Sequence, residues 1–142
     1  MIRAVLDTNV IVSGLKGNNK PPSQILQAWR DGRFVLVASP QLLDEVEAVF
    51  LIPTILKFLH MSPKDVDDFL VRLRDRAFVT LGEFEVDVVS DPDDNVVVAC
   101  GLEGLATHIV TGNSRHFDEL GGEYLGMKIV SPREFGVELA AR

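Results

Sequence analysis

The stretch RAVLDTNVIVSG, residues 3–14, decides the fold. Ala4, Val5 and Leu6 have the composition of a buried strand, and Val10, Ile11 and Val12 are equally apolar. Between these runs stand Asp7, Thr8 and Asn9. An ionised carboxylate buried without a partner costs several kcal/mol or takes up a proton. A strand that ends on Asp7 therefore requires something to compensate that charge.

Outward from this strand, the chain alternates strand and helix patterns. Further strand candidates are Phe34–Val37, Phe78–Thr80, Ala106–Thr111 and Lys128–Val130, with Ile2–Leu6 as the first. Ser39-Pro40, Ser62-Pro63, Asp91-Pro92 and Ser131-Pro132 each place a capping side chain before a proline, the signature of a helix start. Glu134 follows Ser131 by three residues and completes a capping box. Ser23–Asp31 reads as the first well-formed helix. Such alternation predicts an α/β fold, a mostly parallel central sheet flanked by helices on both faces. In sheets of this kind ligands bind beyond the carboxyl ends of the strands. Asp7 and Thr111 both fall at such ends.

Composition narrows the class. The 142 residues, 46% hydrophobic and 25% charged, suit one folded domain, expected over residues 1–142, rather than a disordered chain. The first strand follows Met1 too closely for a signal peptide, and no apolar run approaches the ~18 residues of a membrane span. The lone Cys100, in VVVACGL, excludes an internal disulfide, reads as a buried packing residue, and makes the cytoplasm the expected compartment. A net charge of −7 argues against a general nucleic-acid binder, unless the acids are crowded into one site and balanced by cations. His60, His108 and His116 share no ligand-like spacing and read as surface or loop residues, so a structural zinc site is not expected.

Acidic candidates come from separate stretches. Asp7 closes the first strand. In SPQLLDEVEAVF, Leu42, Leu43, Val46, Val49 and Phe50 form an apolar stripe, and Glu45 and Glu47 flank it on opposite sides, so helical geometry does not choose between them. In DPDDNVVVA, Asp91 reads as the N-cap and Asp94 as the third helical residue, a placement the helix dipole alone would favour. IVTGN ends a buried strand with Thr111, Gly112 and Asn113.

Taken in order, Asp7-Thr8-Asn9, Glu45 within LLDEVE, Asp91 to Asn95, and Thr111-Gly112-Asn113 resemble the PIN-domain family, over Ile2 to about Val130. The DPDDN, the TGN and the following HF are similar to a group labelled as PIN-family toxins. The resemblance implies a magnesium-dependent ribonuclease, VapC-like, with an antitoxin as protein partner. It carries the three main metal-site acids onto Asp7, Glu45 and Asp94, choosing Glu45 over Glu47. Where many members have a fourth acid this chain has Asn113, able to act through a water. Asp91 is a substitute carboxylate whose capping role would also explain it, and Asp118 is a weaker candidate.

Hard oxygen ligands select Mg²⁺ or Mn²⁺, which suit phosphodiester hydrolysis. Without a cation, two carboxylates ~4 Å apart repel by about 4 kcal/mol at an effective dielectric near 20. Asn9 is expected to cap the turn and aim Asp7, with Thr8 and Thr111 orienting ligands through their hydroxyls. Lys16, Lys20, Arg115 and His116 are candidate RNA phosphate contacts, whereas Arg72–Arg76 reads as a solvated helix face. FLIPTILKF (50–58), with Phe69, Leu70 and Leu73, predicts an apolar patch and a homodimer. Two other classes compete. One is a catalytically silent PIN-fold module binding RNA or protein. The other is a phosphotransfer protein, which would need a second Asp where Asn9 stands or adjacent acids closing the first strand.

Overall fold

The structure, a computed structural model, describes Met1–Arg142. Strand β1 (Arg3–Leu6) leads through Asp7 directly into helix α1 (Thr8–Gly14), because the Asp7 carbonyl accepts from the amides of Val10 (2.9 Å) and Ile11 (3.2 Å). The chain continues through α2 (Pro21–Arg30), β2 (Val35–Ala38), α3 (Pro40–Val49), α4 (Pro53–Leu59), α5 (Pro63–Arg76) and β3 (Phe78–Val79). Then follow α6 (Pro92–Glu103), β4 (His108–Val110), a 3₁₀ helix (Ser114–Leu120), β5 (Glu123–Tyr124), β6 (Met127–Val130) and α7 (Pro132–Ala140). All four proline-marked helix starts are capped as expected, by Ser39, Ser62, Asp91 and Ser131. Ser62 and Asp65 form a second capping box beside that of Ser131 and Glu134.

The sheet runs in the order β3-β2-β1-β4-β6-β5, parallel throughout except for β5, which pairs antiparallel with β6. From β1 the chain winds one way to β2 and β3, then crosses over to β4 and β6. The order reverses between β1 and β4, so a crevice opens at their carboxyl ends. This is the α/β architecture expected, with a core on each face. Ala4, Leu6, Leu36, Ala38 and Val110 pack with Ile25, Leu26, Phe69, Leu73 and Phe135 on one side. Val5, Val37, Ile109, Met127 and Ile129 pack with Val97, Val98, Cys100 and Phe117 on the other. Helix α6 approaches the sheet closely, and a Cβ on Gly104 would collide with Val37 Cγ1.

The structure corrects three expectations. Val10, Ile11 and Val12 are buried as expected, but in a helix, so Asn9 lies inside α1, exposed and outside the side-chain hydrogen bonds, rather than capping a turn. His108 is buried on β4, not on the surface, with Nδ1 2.7 Å from Thr107 Oγ1 and Nε2 2.8 Å from Glu138 Oε2. Of the predicted apolar patch, Phe50, Phe69 and Leu73 belong to the core, which leaves Leu51, Ile52 and Phe58 exposed.

Candidate metal centre

Asp7 is held from two directions at the β1–β4 crevice. Its amide donates to the Val110 carbonyl at 2.9 Å, tying it to the end of β4. Its Oδ2 accepts from the Thr111 hydroxyl at 3.0 Å, and Thr111 Oγ1 in turn accepts from the Asn113 amide at 3.0 Å. Thr111 is fully buried, so this relay is shielded from water and fixes the carboxylate orientation. Because α1 starts at the next residue, the Asp7 charge also faces the positive end of that helix.

Helix α3 supplies Glu45. Leu42, Leu43 and Val46 bury the helix against both cores, which leaves Glu45 half-buried. Burial pushes the Glu45 carboxyl above its ordinary pKa, and the charges of Asp93, Asp7 and Asp94 push it further. The Thr8 hydroxyl pulls back against this rise, although its buried oxygen completes no well-directed hydrogen bond. Glu47 faces away, exposed and paired with Arg74 at 2.6 Å.

Helix α6 delivers further acids through its first turn. Asp91 Oδ1 accepts from the Asp93 amide at 2.8 Å as the N-cap. The preceding loop is clamped by Asn95, whose Oδ1 accepts from the amides of Val88 (2.9 Å) and Val89 (3.1 Å) while its Nδ2 donates to the Val89 carbonyl (2.9 Å). Asp94 is buried, 7% exposed, and its Oδ2 has no hydrogen-bond partner. His116 Nδ1 lies 3.1 Å from that oxygen but off the hydrogen-bonding direction. Burial raises the Asp94 pKa; the His116 charge opposes the rise, while Asp91 and Asp7 add to it. Beside Asp94 a cleft of about 240 Å³ is lined by Ser90, Asp91, Asp94, Arg115, His116 and Glu119.

The structure thus brings Asp7, Glu45 and Asp94 within electrostatic reach of one another, adds Asp91 at the same helix start, and places Arg115 and His116 on the adjoining cleft. Thr8 lies beside Glu45 and Thr111 is bonded to Asp7. Asn113 contributes its backbone to the relay, and its side chain is free. Lys16 lies beyond the far end of α1, stacked on the Phe58 ring at 3.6 Å, and Lys20 and Asp118 are exposed without a side-chain partner. Reading the sequence missed Asp93, the largest of the charges acting on Glu45, and the clamp made by Asn95. The signal for Asp93 was its adjacency to Asp94 in a first helical turn, which the dipole alone would explain. Neither Asp93 nor Asn95 breaks a local rule.

The array consists of hard oxygen donors, two of them buried and left unsatisfied, Asp94 Oδ2 and Thr8 Oγ1, a donor set suited to a divalent cation. Comparison with known proteins identifies the family. The sequence model of the family described as PIN domain matches residues 3–115. The uncharacterized protein MJ1680 of Methanocaldococcus jannaschii is 28% identical over 142 aligned residues, covering 94% of this chain and 89% of that protein. No solved structure matches the chain significantly. On the span of that match, which takes in the crevice, the acids and Arg115, the chain belongs to the PIN-domain family.

Proposed function

We propose that the protein is an endoribonuclease that hydrolyses RNA phosphodiester bonds with Mg²⁺ or Mn²⁺, held by Asp7, Glu45 and Asp94. The observation that carries this reading is Asp94, a buried carboxylate with an unsatisfied oxygen among other acids. His116 offsets only part of the cost of burying that charge, and a cation would offset the rest. PIN domains are generally nucleases, which sets the reaction class. The chemistry supplied by such an ion is charge neutralisation at the phosphoryl group and activation of water.

The chain's own residues account for the rest. Thr111 holds Asp7 in one orientation through the relay from Asn113. Glu45, its carboxyl raised by burial and by neighbouring acids, would be held in its ionised form by a bound cation, which offsets that repulsion. Arg115, at the rim of the cleft, offers a cation to an incoming phosphate. Part of the same proposal is a cytoplasmic toxin paired with an antitoxin, read from the DPDDN, TGN and HF pattern, and a homodimer through Leu51, Ile52 and Phe58. The absence of a fourth carboxylate at Asn113 favours the second reading, a silent RNA-binding PIN module.

Single-stranded RNA incubated with the purified protein separates the two. The nuclease reading expects cleavage with Mg²⁺ or Mn²⁺, none in excess EDTA, and a loss of about 10²-fold or more in Asp7→Asn and Glu45→Gln. RNA binding with no cleavage under any divalent ion supports the silent module. Cleavage undiminished by chelator sinks both.

A further inference from the structure

Asp94 also approaches a second set of donors. Ligand atoms of Asp91, Asp94 and His116 lie within 4.8 Å of one another. Capping consumes only Oδ1 of Asp91, so its Oδ2 is free. Asp94 presents its orphaned Oδ2 from a side chain only 9% exposed, and His116 Nδ1 stands 3.1 Å from it. The adjoining cleft leaves room for water to complete a coordination sphere.

We infer that Asp91, Asp94 and His116 form a cation site of mixed oxygen and nitrogen donors, taking a first-row transition-metal ion such as Mn²⁺ or Zn²⁺ in preference to Mg²⁺. The inference deepens the metal-dependent reading above and shares Asp94 with it. The chemistry of the donors sets the preference. Mg²⁺ is a hard ion that favours oxygen ligands and keeps its waters, whereas an imidazole nitrogen suits Mn²⁺, Zn²⁺ and their neighbours. Bonds of about 2.1 Å place neighbouring ligands about 3 Å apart and opposed ones about 4.2 Å apart. Closing from the present spacing takes small rotations of Asp91 and His116. Both side chains are exposed enough to make them, while buried Asp94 stays fixed. Asp94 would then serve two neighbouring cation positions.

Tag-free protein with stoichiometric Mn²⁺ provides the test, by pulsed electron paramagnetic resonance. Wild type is expected to show the modulation of a directly coordinated ¹⁴N nucleus, and His116→Gln is expected to lose it. By calorimetry the same variant should bind Zn²⁺ about tenfold more weakly while its Mg²⁺ affinity changes little. Asp91→Asn, which keeps the cap and drops the charge, should weaken both ions. A Mn²⁺ complex without nitrogen modulation, or modulation that survives in His116→Gln, overturns the inference and leaves the carboxylate site standing. No Mn²⁺ binding at all overturns both. Intact nitrogen modulation in a protein that cleaves no RNA contradicts the nuclease reading alone.

Discussion

Asp7 explains why polar residues interrupt the opening apolar run. It ends a buried strand still paired with parallel β4, at the start of α1, with Thr111 fixing one of its oxygens. Asp91 shows how a capping residue and a site residue can coincide, and a pair of substitutions separates the roles. In metal-free protein, Asp91→Ala should cost about 1 kcal/mol through the lost cap, whereas Asp91→Asn should stay within a few tenths, both read from chemical denaturation. Equal losses in the two variants would mean that the charge, not the cap, stabilises α6. At this scale the three acids of the proposed site were legible as candidates, because Asp7, Glu45 and Asp94 occur in short ordered motifs, and the fold brings them near one another. His116 was seen only as a phosphate contact, since its approach to Asp94 depends on how the 3₁₀ helix packs against α6. Spacing along the chain does not contain that contact.

Helix starts were the most readable elements, because proline and its capping partner are adjacent in sequence and act locally. Helix α1 was not readable as a helix. Thr8, Val10, Ile11, Val12 and Gly14 are all buried, and Asn9 and Ser13, one turn apart, form an exposed face too narrow to reveal a period. β5 was missed for a different reason: two residues paired across Gly126 carry no alternation. Two tests belong here. Gly104→Ala should destabilise by about 1–3 kcal/mol, because the added methyl drives α6 off β2 at Val37. A variant as stable as wild type would show that α6 can shift freely.

The second test concerns the docking of α7 onto β4. Burial raises the Glu138 carboxyl, but the His108 hydrogen bond and charge, with Lys128 and Arg142, outweigh it and hold the carboxyl below its ordinary 4.5. A depressed carboxyl stabilises the fold above its unfolded pKa, and that stability is lost as pH falls through the folded value. Glu138→Gln should therefore cost about 1 kcal/mol at pH 7, modest because Glu138 keeps some access to water. The gap between variant and wild type should close below pH 4.5. A gap independent of pH would contradict this role.

Across the whole molecule, the acidic balance and the candidate function fit once position is considered. The −7 charge is partly concentrated at one sheet edge, where Asp7, Glu45, Asp91, Asp93 and Asp94 lie at or near the crevice. The mostly parallel sheet followed from the alternation of strands and helices, whereas the strand order that creates this crevice did not, because alternation leaves the order of parallel strands open. Which apolar residues remain exposed did not follow, because core and surface share the same composition in residues 50–58.

The central claim is that these acids hold a divalent cation at a cost to the metal-free fold. It is tested most directly by thermal melts of wild type and Asp94→Asn, each in EDTA and in saturating Mn²⁺. Asp94 carries a burial penalty that, with the repulsion of Asp91 and Asp7, outweighs the attraction of His116. Removing its charge should leave the melting temperature in EDTA unchanged or raise it. Wild type should gain stability with Mn²⁺ by preferential binding to the folded state, and Asp94→Asn should lose most of that gain. If Asp94→Asn instead melts lower in EDTA and keeps the full Mn²⁺ shift, Asp94 is a structural residue at a helix start and the proposed metal centre is wrong.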